Sequence, residues 1–156
     1  MKVNVVGKVS NYIERVVKDA VYKVVHFLKQ PHNLEFTIKM VDENEIRDLN
    51  RRMRNIDKST DVLSFPNINV QAGEIISQSE MAENCYNGAD IYIGDCALCL
   101  TIAQKQADEF GHSLESEVRK LVVHSVLHVL GYDHIKDEDY AVMHNIEKLI
   151  LGDDDE

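Results

Sequence analysis

A chain of 156 residues, 44% of them hydrophobic, can bury an adequate core without a disulfide or metal staple, and one domain over residues 1–156 is expected. A net charge of −10 argues against a general nucleic-acid coating protein, because phosphate affinity comes mainly from Lys and Arg. No stretch of about eighteen apolar residues is present and the N-terminus does not read as a signal peptide, so a soluble cytoplasmic protein without membrane contact is expected, with Cys85, Cys96 and Cys99 reduced.

In chain order, the valines of Lys2 to Val6 suit a strand. Ser10 or Asn11 then caps a helix from Tyr12 to about Lys29, where Ile13, Val16, Val17, Val21, Val24, Val25 and Leu28 recur at helical spacing. Pro31 marks its end, and residues 34–40 alternate as a half-buried strand. Asp42 to Arg54 opens with acids and closes with arginines, the order a helix dipole prefers. Val62, Leu63 and Phe65 form a strand that Pro66 ends. Residues 67–88 look polar and patternless and are expected to be a mobile connection, with 74–77 a possible extended edge. Gly88 and Gly94 bound a strand over 89–93, Asp95 caps a helix through Phe110, and Gly111 closes it. A further helix, begun near Ser113, is followed by a last one over about 137–151 and by an acidic tail expected to fray. Strands separated by helices give an α+β domain with a mixed sheet.

Charge is distributed unevenly. Residues 1–58 hold twelve Lys and Arg against eight Asp and Glu, whereas residues 59–156 hold five against nineteen. Solvated faces or a local basic surface for a phosphate chain explain this equally well.

The stretch HSVLHVLGYDH, His124 to His134, carries the chemistry. His124 and His128 are four apart and share one face of a helix, and Gly131 is placed to end that helix and let the chain bring His134 to the same point. Three neutral imidazoles suit one zinc ion, whose catalytic sites leave a fourth position to water, and which polarises a phosphoryl or carbonyl oxygen. H-x-x-x-H-x-x-G-x-x-H is also the frame of zinc peptidases, but those carry a Glu base directly after the first His, where this chain has Ser125. Peptide hydrolysis is therefore disfavoured. Phosphodiester cleavage asks chiefly for positive charge around the phosphate, and arginine is the natural source.

Three blocks together, LNRRMRNIDKSTDVLSFP (Leu49–Pro66), GADIYIG (Gly88–Gly94) and FGHSLESEVRKLVVHSVLHVLGYDH (Phe110–His134), resemble the YbeY family of single-strand-specific endoribonucleases. The likeness covers most of residues 34–151, leaving the N-terminal helix and 67–88 as the divergent parts. It implies a zinc-dependent endoribonuclease acting on single-stranded RNA, with small-subunit ribosomal RNA as substrate, in ribosomal RNA maturation and ribosome quality control. Ribosomal proteins or other assembly factors would be its partners; DNA would not. It makes His124, His128 and His134 the metal ligands, His124 and Arg54 catalytic, and Arg54 the substrate-binding residue. It sets Thr60, Asp61 and Ser64 in the cleft wall. The family usually has glycine where this chain has Ser125, and often arginine at Ser116. Two other readings remain: a noncatalytic ribosome-assembly factor with a structural metal, and a degenerate zinc peptidase.

Beyond the motif, Cys96 and Cys99 form a C-x-x-C at the expected start of a helix and read as buried helical cysteines. Asp133 is either a ligand-orienting carboxylate or a turn stabiliser, and His112 a helix cap or a substrate contact.

Overall fold

The computed structural model describes residues 1–77 and 85–152. Among these residues five strands and five helices follow one another as β1 (Lys2–Val6), α1 (Asn11–Phe27), β2 (Leu34–Met40), α2 (Glu43–Arg54), β3 (Val62–Pro66), β4 (Tyr86–Asn87), β5 (Asp90–Leu98), α3 (Leu100–Phe110), α4 (Leu114–Val129) and α5 (Asp137–Leu151). The sheet runs β1-β2-β5-β3, with β4 also beside β5. β1, β2 and β5 are parallel, while β3 and β4 pair antiparallel with β5, so the mixed α+β fold is as expected.

Local chemistry accounts for most element ends. The Ser10 hydroxyl accepts from the Ile13 N–H, and the Asp42 carboxylate accepts from Glu45 N–H at 2.8 Å, each satisfying an amide the helix leaves free. The α1 stripe Ile13, Val16, Val17, Val21, Val24 and Val25 is buried as the spacing predicts.

β5 departs from expectation. It does not stop at Gly94 but continues to Leu98, and Asp95, expected to cap a helix, pairs within the sheet with Phe65 and Thr37. Gly94 marks a bulge, where the register against β2 shifts between Glu35 and Phe36. A Cβ at Gly94 would stand 2.6 Å from the Phe65 carbonyl oxygen and press on Val129. The glycine thus permits a close approach of β3 and α4 rather than ending a strand. Beyond it Cys96 and Leu98 face the larger core cluster, while Ala97 joins Val41, Ile46, Leu63 and Cys99 on the opposite face. A strand buried on both faces loses polar alternation, which hid its second half in the sequence. Cys96 is consequently a strand residue, and Cys99, the N-cap of α3, makes no side-chain cap bond. Burial pushes the Cys96 thiol up to about 12, which leaves it chemically inert.

The first part of the expected mobile connection is pinned. Ile68, Val70 and Ile76 are buried in the main core, and the buried Gln30 side chain donates to Glu74 O at 2.9 Å and accepts from Ile76 N–H at 3.0 Å. Residues 74–77 form no strand. The rest of that connection, 78–84, and the acidic tail from 153 onward lie outside the described residues.

α4 is the element that positions the site. Val118, Val122, Val123, Val126 and Leu127 are fully buried, and the helix is flanked by α1, α3, α5 and β3. With so much of its surface covered, its orientation is fixed by packing. Among the described residues no helix is long and apolar enough to cross a membrane.

Candidate metal centre

His124 and His128 project from the last two turns of α4 into a cleft, and the turn after the helix returns His134 to them. The turn depends on Gly131. Its φ is +97°, and a Cβ there would collide with the Val70 carbonyl oxygen and the backbone of Gln71 and Ala72. The pinned 67–77 segment therefore packs directly on the turn that carries the third histidine.

The Nε2 atoms of His124 and His128 are 3.1 Å apart, and His134 Nδ1 is 3.0 Å from His128 Nε2. Each of the three residues offers one ligand atom, and these atoms all lie within 4.8 Å of one another. Nitrogens bonded tetrahedrally to zinc at its usual bond length stand about 3.3 Å apart, close to the two separations measured from His128 Nε2. The outer nitrogens agree: His124 Nδ1–H donates to Glu147 Oε1 at 2.8 Å, and His128 Nδ1–H donates to Tyr132 O at 2.9 Å. With the proton on Nδ1, each Nε2 lone pair faces the common point. Burial, reinforced by the neighbouring imidazoles of His124 and His134, lowers His128 to about 4, so it stays neutral and able to ligate. These residues could hold a metal ion. Asp133 accepts from the His134 N–H at 2.7 Å and so fixes the turn.

The cleft is about 520 Å³. Lys120, Leu121, His124 and His128 of α4 form one wall, and residues 60–64 with Pro66 form another. Arg54, His134 and Glu147 complete it. Thr60, Asp61 and Ser64 thus line the cleft, as the family resemblance implies. The Asp61 carboxylate accepts from the Val62 N–H at 2.7 Å and from the Thr60 hydroxyl at 3.2 Å, and its carbonyl accepts from Cys99 N–H at 2.9 Å, which ties the loop to β3 and α3. Ser125, at the position of the peptidase base, is fully buried and bonds to Ser64 Oγ at 2.7 Å. It belongs to the α4–β3 contact and not to the histidine cluster.

Arg54 ends α2, where Asn55 takes the left-handed cap conformation at φ 58°. The other α2 arginines are partnered: Arg47 with Asp57 at 2.9 Å, Arg51 with Asp48 at 2.6 Å and Arg52 with Asp48 at 3.0 Å. Among the described residues Arg54 makes no ion pair, and it is the α2 arginine that lines the cleft. His112 does not enter the cleft; its Nε2 is 2.6 Å from the buried Glu117 carboxylate.

The family model for endoribonuclease YbeY matches residues 3–153, which includes the N-terminal helix and the 67–88 connection. The chain belongs to the YbeY family. Curated relatives called endoribonuclease YbeY include one from Caldicellulosiruptor bescii, 37% identical over 92% of this chain and 87% of its own length. One from Clostridium botulinum strain Eklund 17B is 38% identical over 96% of this chain and 90% of its own. The solution structure of a Thermotoga maritima protein shares the fold, with a TM-score of 0.59 at 24% identity over 96% of this chain and 86% of that one.

Two charged residues of the cleft, Lys120 and Glu147, carry no motif that marks them in the sequence. Lys120 stands one turn before His124, a K-x-x-x-H spacing that puts both on one helix face and was visible in principle. Glu147 had no local signal, because its relation to His124 exists only through the packing of α5 on α4.

Proposed function

We propose that the chain is a zinc-dependent endoribonuclease that cleaves single-stranded RNA in the cytoplasm, with small-subunit ribosomal RNA as its substrate in maturation and ribosome quality control. Membership of a family whose curated relatives are called endoribonucleases supports the reaction class. The observation that carries the reading is one cleft in which three convergent imidazoles and an arginine with no ion-pair partner among the described residues line the same space.

His124, His128 and His134 would hold the ion, which when bound supplies Lewis-acid charge to a phosphoryl oxygen and lowers the pKa of water. Arg54 binds the phosphodiester through its forked N–H donors, a geometry that matches two phosphate oxygens. No aspartate among the described residues pairs with it, which leaves those donors for substrate. Lys120 adds a second positive charge from the α4 wall. A walled space of this size receives one backbone, while a duplex, with its bases paired inward, stays at the rim. The acidic remainder of the chain confines RNA affinity to the cleft.

The test is cleavage of an end-labelled single-stranded RNA by metal-loaded wild type, Arg54→Ala and His128→Ala, with bound metal measured in each. Wild type cleaves; Arg54→Ala keeps its metal and loses cleavage; His128→Ala loses both. Equal cleavage by all three proteins would assign the activity to a contaminant and end the catalytic reading.

A further inference from the structure

Glu147 stands in the cleft without a part in the steps above. α5 is a lightly seated helix: among its described residues Met143 is the one buried, with Ile146, Ile150 and Leu151 partly buried against the core. Glu147 lies four residues after Met143, on the seam where α5 meets α4, and its side chain is 17% exposed. From there Oε1 accepts the Nδ1–H of His124 at 2.8 Å, across an element boundary and 23 residues along the chain.

The two α4 histidines are held differently. His128 donates to the backbone carbonyl of Tyr132, four residues on, an acceptor no substitution removes. His124 has a carboxylate, and that carboxylate is brought by a different helix. A neutral imidazole can carry its proton on either nitrogen, and only the Nδ1–H form turns an Nε2 lone pair toward His128. An acceptor on the far side selects that form, fixes the ring plane and raises the basicity of the ligand.

We propose that Glu147 is a positioning residue of the metal centre: it fixes the tautomer and orientation of His124, and through it the docking of α5 on α4 is linked to metal affinity. The inference rests on the metal reading given under Proposed function. Because the ion binds the orientation Glu147 holds, loading the metal also strengthens the seating of α5, by the ordinary linkage between binding and folding.

The experiment measures Zn²⁺ affinity by competition with a chromophoric chelator for wild type, Glu147→Ala, Glu147→Gln and His128→Ala. Imidazole ¹⁵N shifts of the metal-free proteins report the His124 tautomer. Glu147→Ala should bind Zn²⁺ about 10- to 100-fold more weakly, with His124 passing to a mixture of tautomers. Glu147→Gln, whose amide oxygen accepts the same N–H, should keep the tautomer and lose less affinity. Wild-type affinity in Glu147→Ala overturns the proposal. So does weakened affinity with an unchanged tautomer, since that marks a packing role alone. Where alanine undocks α5, seen as lost helicity, Glu147→Gln decides: the Nδ1–H tautomer kept with affinity above that of Glu147→Ala supports the proposal, and a mixture of tautomers at wild-type affinity overturns it. A wild type that binds Zn²⁺ no better than His128→Ala sinks the metal centre itself, which is a separate failure.

Discussion

His124, His128 and His134 reach one point through a single helix and the turn that follows it, whereas Arg54 reaches the same cleft from the end of α2, seventy positions earlier in the chain. On the histidine side, spacing along α4 sets two ligands and the Gly131 turn sets the third. On the arginine side several arginines of similar local surroundings compete, and what separates them is pairing: three sit against Asp48 or Asp57, and Arg54 does not. A metal site can thus be encoded by short-range periodicity. A substrate cation is defined by what surrounds it after folding.

Each side can be broken separately, and the effects should differ in size. Removing a ligand by His128→Ala should abolish stoichiometric zinc binding and lower RNA cleavage by about 10³-fold or more, since both metal charge and its geometry are lost. Arg54→Ala should lower kcat by roughly 10²–10³-fold, the usual loss for one charge-stabilising donor, while zinc stoichiometry stays at the wild-type value. An arginine variant that also lost its metal would show that the two sides are not independent. Gly131→Ala attacks the turn rather than a ligand. It should destabilise the fold by about 3 kcal/mol in chemical denaturation, because the added Cβ meets the Val70–Ala72 backbone at a positive φ.

Smaller effects sharpen the contrast. Lys120→Ala should weaken binding of an uncleavable single-stranded RNA severalfold and reduce the salt slope of log affinity by about 1, with zinc affinity unchanged; an unaltered slope would remove Lys120 from the RNA contact. The pH dependence belongs to the histidine side. In the metal-free folded chain His128 titrates near 4, against an ordinary value of 6.5. Between those values the unfolded chain binds the proton that the folded chain refuses, so this contribution to stability is complete above pH 6.5 and is lost as pH falls toward 4. Urea midpoints of metal-free wild type should decline across that window more steeply than those of His128→Asn, and parallel profiles would contradict the assignment.

The fold was legible where one face is buried and one is wet. α1 and β2 announce themselves by periodicity, and α2 by its charge order, with Ser10 and Asp42 capping α1 and α2. The second half of β5 was not legible. Cys96 to Leu98 is apolar on both sides because helices cover both faces of the sheet, and Gly94 imitates a strand end while serving a bulge. The segment 67–77 misled in the opposite sense, since three isolated apolar residues, Ile68, Val70 and Ile76, enter the core without any repeating pattern. Ser125 lacks the carboxylate of a peptidase base, and only the contact with Ser64 shows that its hydroxyl belongs to the seam between α4 and β3.

By itself the sequence determined the three metal-ligating candidates, the absence of the peptidase base beside them, and the mixed α+β class, because each of these depends on spacing or on residue identity within a few turns of chain. Tertiary structure alone decided which arginine faces the cleft, that Lys120 shares it, and that Glu147 of α5 holds the outer nitrogen of His124. The physical reason is range. Helical periodicity repeats over about 5 Å of axis and can be read from neighbours, whereas an ion-pair partner or an imidazole acceptor is a side chain brought from a distant element by burial of apolar faces, and burial has no local code for what it carries with it.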